Sequence, residues 1–321
     1  MPKLTMQTKS EELTLQAVFD KFIAFKKIKN LSEASIIYYE ECFKFFTKYY
    51  PANKPCADIT KDICLGYVQH LRETRPEVKD TTINTYLRAI RSILYFAMEH
   101  DYLPRFKVEL IKADKEVKET YTDVELALLL KKPAVKKCSF TEYRNWVIVN
   151  YLLATGNRLG TVVNLRIRDI NFQDGVITLT KTKNRHQQII PLSKTMLKTL
   201  QEYLTFRKGA DDEFLFCNQF GKQFTKNGFK STMIKYNHSR GVEKTSIHLF
   251  RHTFAKKWIM SGGDIFRLQK LLGHSSLDVV KEYVNIFGAD LKEQFDHFNP
   301  LENVYRSQNL EAKTALSMKR K

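Results

Sequence analysis

The chain has 321 residues, 43% of them hydrophobic and 12% aromatic, enough for about two ordinary cores, which excludes an intrinsically disordered chain. A formal net charge of +18 points to a polyanionic partner. Residues 1–110 carry 17 Lys and Arg against 14 Asp and Glu, so +15 of the +18 lies beyond them, where phosphate contacts should be strongest.

In chain order, Leu15, Val18, Phe19, Phe22, Ile23 and Phe25 recur at helical spacing behind Thr14, a fitting N-cap. Ser32 can cap a second helix through Ile36, Tyr39, Phe43 and Phe46, and a third near 63–73 ends before Pro76. Thr81 or Thr82 leads into a fourth, with Ile83, Tyr86, Leu87, Ile90, Ile93, Leu94 and Ala97 on one stripe and Arg88 and Arg91 off it, available to nucleic acid. Residues 12–103 thus read as a small all-helical domain. The charge-mixed stretch 104–120 reads as a linker.

A second domain, 121–300, opens with Thr122-x-x-Glu125, a capping-box spacing ahead of the run LALLL. Trp146 to Ala154 continues as a buried helix stopped by Gly156. GVITLTKTK, a short polar turn and HQQIIPL form an antiparallel hairpin rich in β-branched residues. Helices follow near 225–236, 248–260, 264–272 and 276–284; Gly262 and Gly263 stop one, Asp264 caps the next and Gly273 ends it. The fold class is mainly α with a small antiparallel sheet, an all-helical N-terminal domain preceding an α+β domain and a basic tail at 301–321.

The segment IHLFRHTFAKKW sets His248, Arg251 and His252 among Phe250, Phe254 and Trp258. A solvated polar face is the plain reading, and a zinc pair is another, since His248 and His252 stand at i and i+4. The general-base Glu of H-E-x-x-H is missing, however, Leu249 standing in its place, and Arg251 would repel a dication, so no metal is expected. A phosphate reading uses more of the chain. Arg158 in ATGNRLG and Arg251 offer planar forks to phosphate oxygens, and Lys183 on the hairpin is a flexible ammonium. His274 in LLGHSS ends a helix, and Tyr283 in EYVNI is an uncharged nucleophile nine residues on. Each taken singly has a mundane account as a solvated cation or a core phenol.

The order and spacing of ATGNRLG with Leu165 and Asp169-Ile170, TKTKNRHQQIIPL, HLFRHTFA, LLGHSSLDVV and EYVNI resemble the tyrosine recombinase, or phage integrase, family over about residues 120–287. The helical region resembles that family's core-binding domain. The resemblance implies a C-shaped clamp of two domains on double-stranded DNA, Arg158 and Arg251 gripping the scissile phosphate with His248 and His274, Lys183 on the leaving oxygen (Lys181 if the turn is shifted) and Tyr283 as nucleophile. It also implies strand exchange through a 3′-phosphotyrosyl bond and a four-way junction, with no cofactor, and a structural place for His252.

Thr161 departs from the pattern, standing where the family usually has an acidic residue. Leu291, Phe295 and Phe298 make a short apolar stripe which, in the family's manner, would dock on a neighbouring protomer to build a homotetramer, docking in cis on its own domain being the other reading. The layout is Xer-like and fits a mobile element's integrase or transposase as well as chromosome-dimer resolution. A type IB topoisomerase and a catalytically silent DNA-binding protein are the alternatives. Cys42, Cys56, Cys64, Cys138 and Cys217 show no C-x-x-C spacing, and the N-terminus lacks an apolar signal region, so a cytoplasmic protein is expected.

Overall fold

The structure, a computed structural model, describes residues 13–114, 119–179 and 187–273, together with 276, 277, 281, 283 and 301. The chain divides between residues 116 and 117 into two compact units. No helix among the described residues is long and apolar enough to cross a membrane.

The N-terminal unit consists of α1 (Leu15–Ile28), α2 (Glu33–Thr47), α3 (Lys61–Thr74) and α4 (Asp80–Glu99). Thr14, Ser32 and Thr60 cap the first three, each side-chain oxygen accepting from the backbone N–H three residues on. The fourth differs from expectation: it begins at Asp80 behind Lys79, which offers no side-chain cap. Asp80 in the first turn answers the helix dipole instead. The predicted stripes meet in one core, where the Phe19 and Phe43 rings stack at 3.8 Å and Tyr67 meets Phe46 edge-on at 4.9 Å. Each such side chain contributes about 1.5–3 kcal/mol on full burial.

The segment after α4 lies on this core. Leu103 and Val108 are buried, and the buried Asn84 both donates to and accepts from the backbone of Ile111. The side-chain amide thereby satisfies a main-chain pair that would otherwise be costly to bury.

The C-terminal unit contains α5 (Asp123–Leu130), α6 (Phe140–Thr155), the single turn α7 (Leu159–Val162), β1 (Ile170–Asn171), β2 (Val176–Leu179), β3 (Gln188–Pro191), α8 (Lys194–Arg207), α9 (Lys226–Ser239), α10 (Ile247–Met260) and α11 (Ile265–Leu272). The Thr122–Glu125 capping box is formed in both directions. Helix α6 packs against α5, α8, α9 and α10, with Val147, Ile148, Val149, Tyr151 and Leu152 wholly buried, as expected of a helix apolar on most of its surface. The three strands run antiparallel in the order β1-β2-β3, pairing Ile177 with Ile190 and Leu179 with Gln188. Ile177, Leu179 and Ile190 face the core, as the period of two requires.

Two elements go beyond the sequence reading. Strand β1 is only two residues long, too short to show a period. Helix α8 carries Met196, Leu200 and Tyr203 on its buried face behind a Ser193 cap, a legible pattern beside the more conspicuous hairpin. The helix expected near 276–284 lies outside the described residues except at 276, 277, 281 and 283.

Candidate active site

The site grows from the turn after α6. Thr155 Oγ1 donates to the Tyr151 carbonyl and accepts from the Asn157 backbone, while the buried Asn157 amide donates to the Tyr151 hydroxyl at 2.7 Å. Gly156 closes the helix at φ 62°, and a Cβ there would stand 2.9 Å from both Leu272 and Phe254. Glycine is thus required twice, for the left-handed backbone and for the close approach of α10 and α11. The chain then turns extended at Arg158 before α7.

On α10, one face enters the main core through Ile247, Leu249 and Phe250, and Thr253 Oγ1 accepts from the Tyr121 backbone. Arg251 is drawn inside with that face, 5% exposed. It donates to the Gly156 carbonyl at 2.9 Å and to the Leu272 carbonyl at 2.8 Å, and Arg158 donates to the same Leu272 oxygen at 3.2 Å. Two guanidiniums therefore converge on one carbonyl at the end of α11. Burial and the Arg158 charge push Arg251 down to about 10, which leaves it charged at neutral pH. Arg158 is lowered by burial, with the Tyr283 phenol acting in the opposite sense on both arginines. Like charges held this close repel, and the shared carbonyl dipole offsets part of that cost.

His248 sits exposed at the start of α10. Crowding by the protein, then the charges of Arg251, Arg158 and Lys230, hold its imidazole below the ordinary 6.5, so it is neutral and able to accept a proton. Tyr283 is 2% exposed in a small apolar cluster with Ala255, Leu268 and Leu272. Its hydroxyl meets Nδ1 of His252 at 2.7 Å. His252 thus contacts the phenol directly, a link beyond the structural place read from the sequence. That contact also occupies one nitrogen of the supposed zinc pair. No group of three His, Cys, Asp or Glu side chains comes together among the described residues.

The structure therefore brings Arg158, His248, Arg251 and Tyr283 into one neighbourhood. Lys183, its alternative Lys181, His274 and the stripe of Leu291, Phe295 and Phe298 lie outside the described residues. Arg88 is exposed and Arg91 half-buried on α4 of the N-terminal unit. Thr161 is half-buried on α7, its N–H bonded to the Arg158 carbonyl.

Sequence reasoning missed Lys230, whose charge reaches His248 from α9, and Gln188, whose side chain bonds the end of α11. Lys230 in KNGFKSTMIKY stands one turn after Lys226 on a capped helix, a weak signal of a basic face. For Gln188 the sequence carries no signal.

Comparison with known proteins follows the same division. Residues 122–289 match the model of the phage integrase family, and residues 14–115 match that of the phage integrase SAM-like domain. Tyrosine recombinase XerD of Halalkalibacterium halodurans is 26% identical over 300 residues, covering 89% of this chain and 99% of that protein. Tyrosine recombinase XerC of Leptospira interrogans is 28% identical over 298 residues, covering 89% and 94%. Among solved structures, the Tn1549 transposon integrase in complex with transposon right end DNA aligns with a TM-score of 0.72 at 19% identity, over 93% of this chain and all of that one. The XerH site-specific recombinase bound to its palindromic difH substrate aligns with a TM-score of 0.68 at 20% identity, over 86% and 83%. At those identities the structural likeness is one of fold.

Proposed function

From the premise that this chain belongs to the phage integrase family and is a tyrosine recombinase of site-specific recombination, we propose a role for each residue of the cluster. Tyr283 is the nucleophile. Its Oη–P bond forms as the P–O5′ bond breaks, giving a 3′-phosphotyrosyl link and a free 5′-hydroxyl. His248 takes the phenolic proton, and Lys183 gives a proton to the departing oxygen. Arg158, Arg251 and His274 hold the non-bridging oxygens, where charge builds in the transition state. The reverse steps rejoin the strand with no external energy, since the ester keeps the bond energy.

The observation that carries this reading is the convergence of Arg158 and Arg251 on one oxygen, with the Tyr283 phenol close enough to influence both. A phosphate has the charge and the planar oxygen pairs that two neighbouring guanidiniums bind well. Exposed Arg88 and its neighbour Arg91 would add contacts to the DNA backbone from the N-terminal unit. His252 keeps the hydroxyl within the cluster through its Nδ1 contact. The relatives favour recombination over topoisomerase-like relaxation or silent DNA binding.

Assembly extends the proposal. Leu153, Phe254, Lys257, Trp258, Ser261 and Gly263 line an apolar cavity of about 420 Å³ beside α10. We assign it to the Leu291, Phe295 and Phe298 stripe of a neighbouring copy, so that four copies close a ring on two DNA sites. The five free cysteines, four of them buried, fit work in the reducing cytoplasm.

The deciding experiment mixes the protein with nicked duplexes tiled across DNA flanking its own gene and resolves covalent adducts on a denaturing gel. A shifted band on one tile that vanishes in Tyr283→Phe is the expected result. An adduct that survives the substitution overturns the nucleophile. A tile that is bound without any adduct points to the silent binder, with Thr161 as the suspect departure.

A further inference from the structure

Helix α6 carries a buried cation that the proposed recombination chemistry does not use. Arg144 is 2% exposed. Its Nε and Nη2 donate to Asn145 Oδ1 at 3.2 and 2.9 Å, and Nη1 donates to the Cys217 carbonyl at 2.8 Å. These acceptors are neutral, and no carboxylate among the described residues pairs with the guanidinium. The second hydrogen of Nη1 and of Nη2 has no acceptor among the described residues. Burial lowers the Arg144 pKa, with Tyr203 and Cys217 acting in the opposite sense, and an arginine stays charged even so.

Arg144 and Asn145 line a cavity of about 440 Å³ formed by α6, α9 and the turn at 218–223. Asn145 is 6% exposed. Both contacts at its Oδ1 come from donors, so the amide can be oriented only one way, with Nδ2 as its donor. That Nδ2 has no acceptor among the described residues. A buried donor without an acceptor is costly, and one beside a cavity can be served by whatever enters it. Exposed Lys235 is a second cation on the lining, and no Asp or Glu of the described residues lines the cavity. An adjoining cavity shares Asn145 and Lys235 and adds one acid, Glu142, whose carboxylate already accepts from Arg240 at 3.1 Å.

The rest of the wall is apolar. Phe224 lies under the guanidinium, 4.8 Å from ring centroid to charge centre. Phe220 stands 74% exposed on a turn held by Asn218, whose Oδ1 accepts from the Phe220 and Lys222 backbones. Gly228 and Thr232 line the cavity, and Lys230, whose charge reaches His248, lies two residues from each. At that spacing the cavity and the candidate active site face opposite sides of α9.

We propose that this cavity is a binding site for a small organic carboxylate, whose oxygens take the spare donors of Arg144 and Asn145 while its apolar body lies on Phe220 and Phe224. A planar pair of oxygens matches one guanidinium beside one amide, and two aromatic rings suit an apolar body, which inorganic phosphate lacks.

The test uses the full-length protein with benzoate as the probe, ionised at neutral pH. Benzamide serves as its uncharged counterpart, inorganic phosphate as an anion without a ring, and sodium chloride at matched ionic strength as the baseline. The melting temperature is followed through each titration, since a ligand that binds only the folded chain raises it. Arg144 itself is left unchanged because it also holds the Cys217 carbonyl. Asn145→Asp instead keeps an oxygen toward Arg144 and replaces the spare donor with a second oxygen. Lys235→Glu alters an exposed residue, and Arg158→Ala removes a cation of the other cluster.

Benzoate is expected to raise the wild-type melting temperature saturably, and benzamide to leave it unchanged. Asn145→Asp should raise the half-saturating concentration about tenfold to a hundredfold, the loss of a donor to a charged group. Lys235→Glu should raise it about twofold to fivefold, and Arg158→Ala should keep the wild-type value. The proposal is overturned if benzoate gives no saturable rise, or if benzamide matches it, which would make the cavity merely apolar. Phosphate acting where benzoate does not would overturn the carboxylate assignment. An unchanged response in Asn145→Asp would place benzoate elsewhere, on the arginine cluster if Arg158→Ala loses it, and the proposal would fall.

Discussion

Arg251 shows how one side chain can serve fold and chemistry together. Its two carbonyl bonds join the turn after α6 to the end of α11, and in the proposed reaction the same guanidinium would bind a phosphate oxygen. Arg251→Ala should lower the rate of adduct formation by about 10²–10³-fold, the usual loss for a transition-state donor, measured in single turnover with DNA binding followed separately. His248 predicts a distinctive pH response. The unfolded chain protonates this imidazole near 6.5, and the folded chain only at lower pH. Acidification below about 6.5 therefore favours the unfolded state, and stability contributed above that pH fades until the folded pKa is passed. The folded base is protonated less readily than a free imidazole, so the acid limb of cleavage should have its midpoint below pH 6.5. In His248→Asn the rate should be low at every pH and the acid limb gone, as a rate profile from pH 5 to 8 would reveal. Arg158, His248, Arg251 and Tyr283 could all be named from the sequence, because the order and spacing of their motifs resemble those of the tyrosine recombinase family, whereas each alone has a plainer account. Gln188 and Lys230 could not: an amide in a strand and a lysine on a helix are unremarkable until the fold brings them to α11 and to His248.

At the scale of elements, the sequence spoke clearly wherever a period ran for several turns or a cap had a mechanism. The helices α1 to α4, the Thr122–Glu125 box and the Gly156 and Gly273 stops belong to this class. It spoke poorly where tertiary contacts decide. Nothing local shows that Asn84 would turn inward to hold Ile111, so the stretch after Leu103 looks like free linker while its first part lies on the helical core. The junction at Gly156 offers a direct check. Gly156→Ala places a Cβ against Leu272 and Phe254 in a left-handed backbone, and should destabilise the protein by about 2–4 kcal/mol, combining the backbone and overpacking costs. Urea unfolding measures the loss, and adduct formation should fall with it, since the same turn aims Arg158. Thr122→Ala, which removes a formed cap, should cost about 1 kcal/mol in the same urea measurement.

For the whole molecule, charge and assembly are the governing quantities. With +15 of the net +18 beyond residue 110, affinity for duplex DNA should fall steeply with salt, and a plot of log affinity against log salt should lose about one unit of slope for each phosphate-contacting lysine or arginine removed. Lys257 also lines the apolar cavity beside α10, and on the proposed assembly Lys257→Glu, which reverses a half-exposed charge at its rim, should reduce joining between two sites more than adduct formation on one. Sedimentation of the DNA complex would show the larger assembly lost. The burial of Tyr283 bears on the proposed chemistry. A phenol at 2% exposure and bonded to His252 would have to move before it could attack a phosphodiester in the proposed reaction. On that reading a rearrangement of the chain precedes the bond-making step, and cleavage kinetics would report the motion as well as the chemistry.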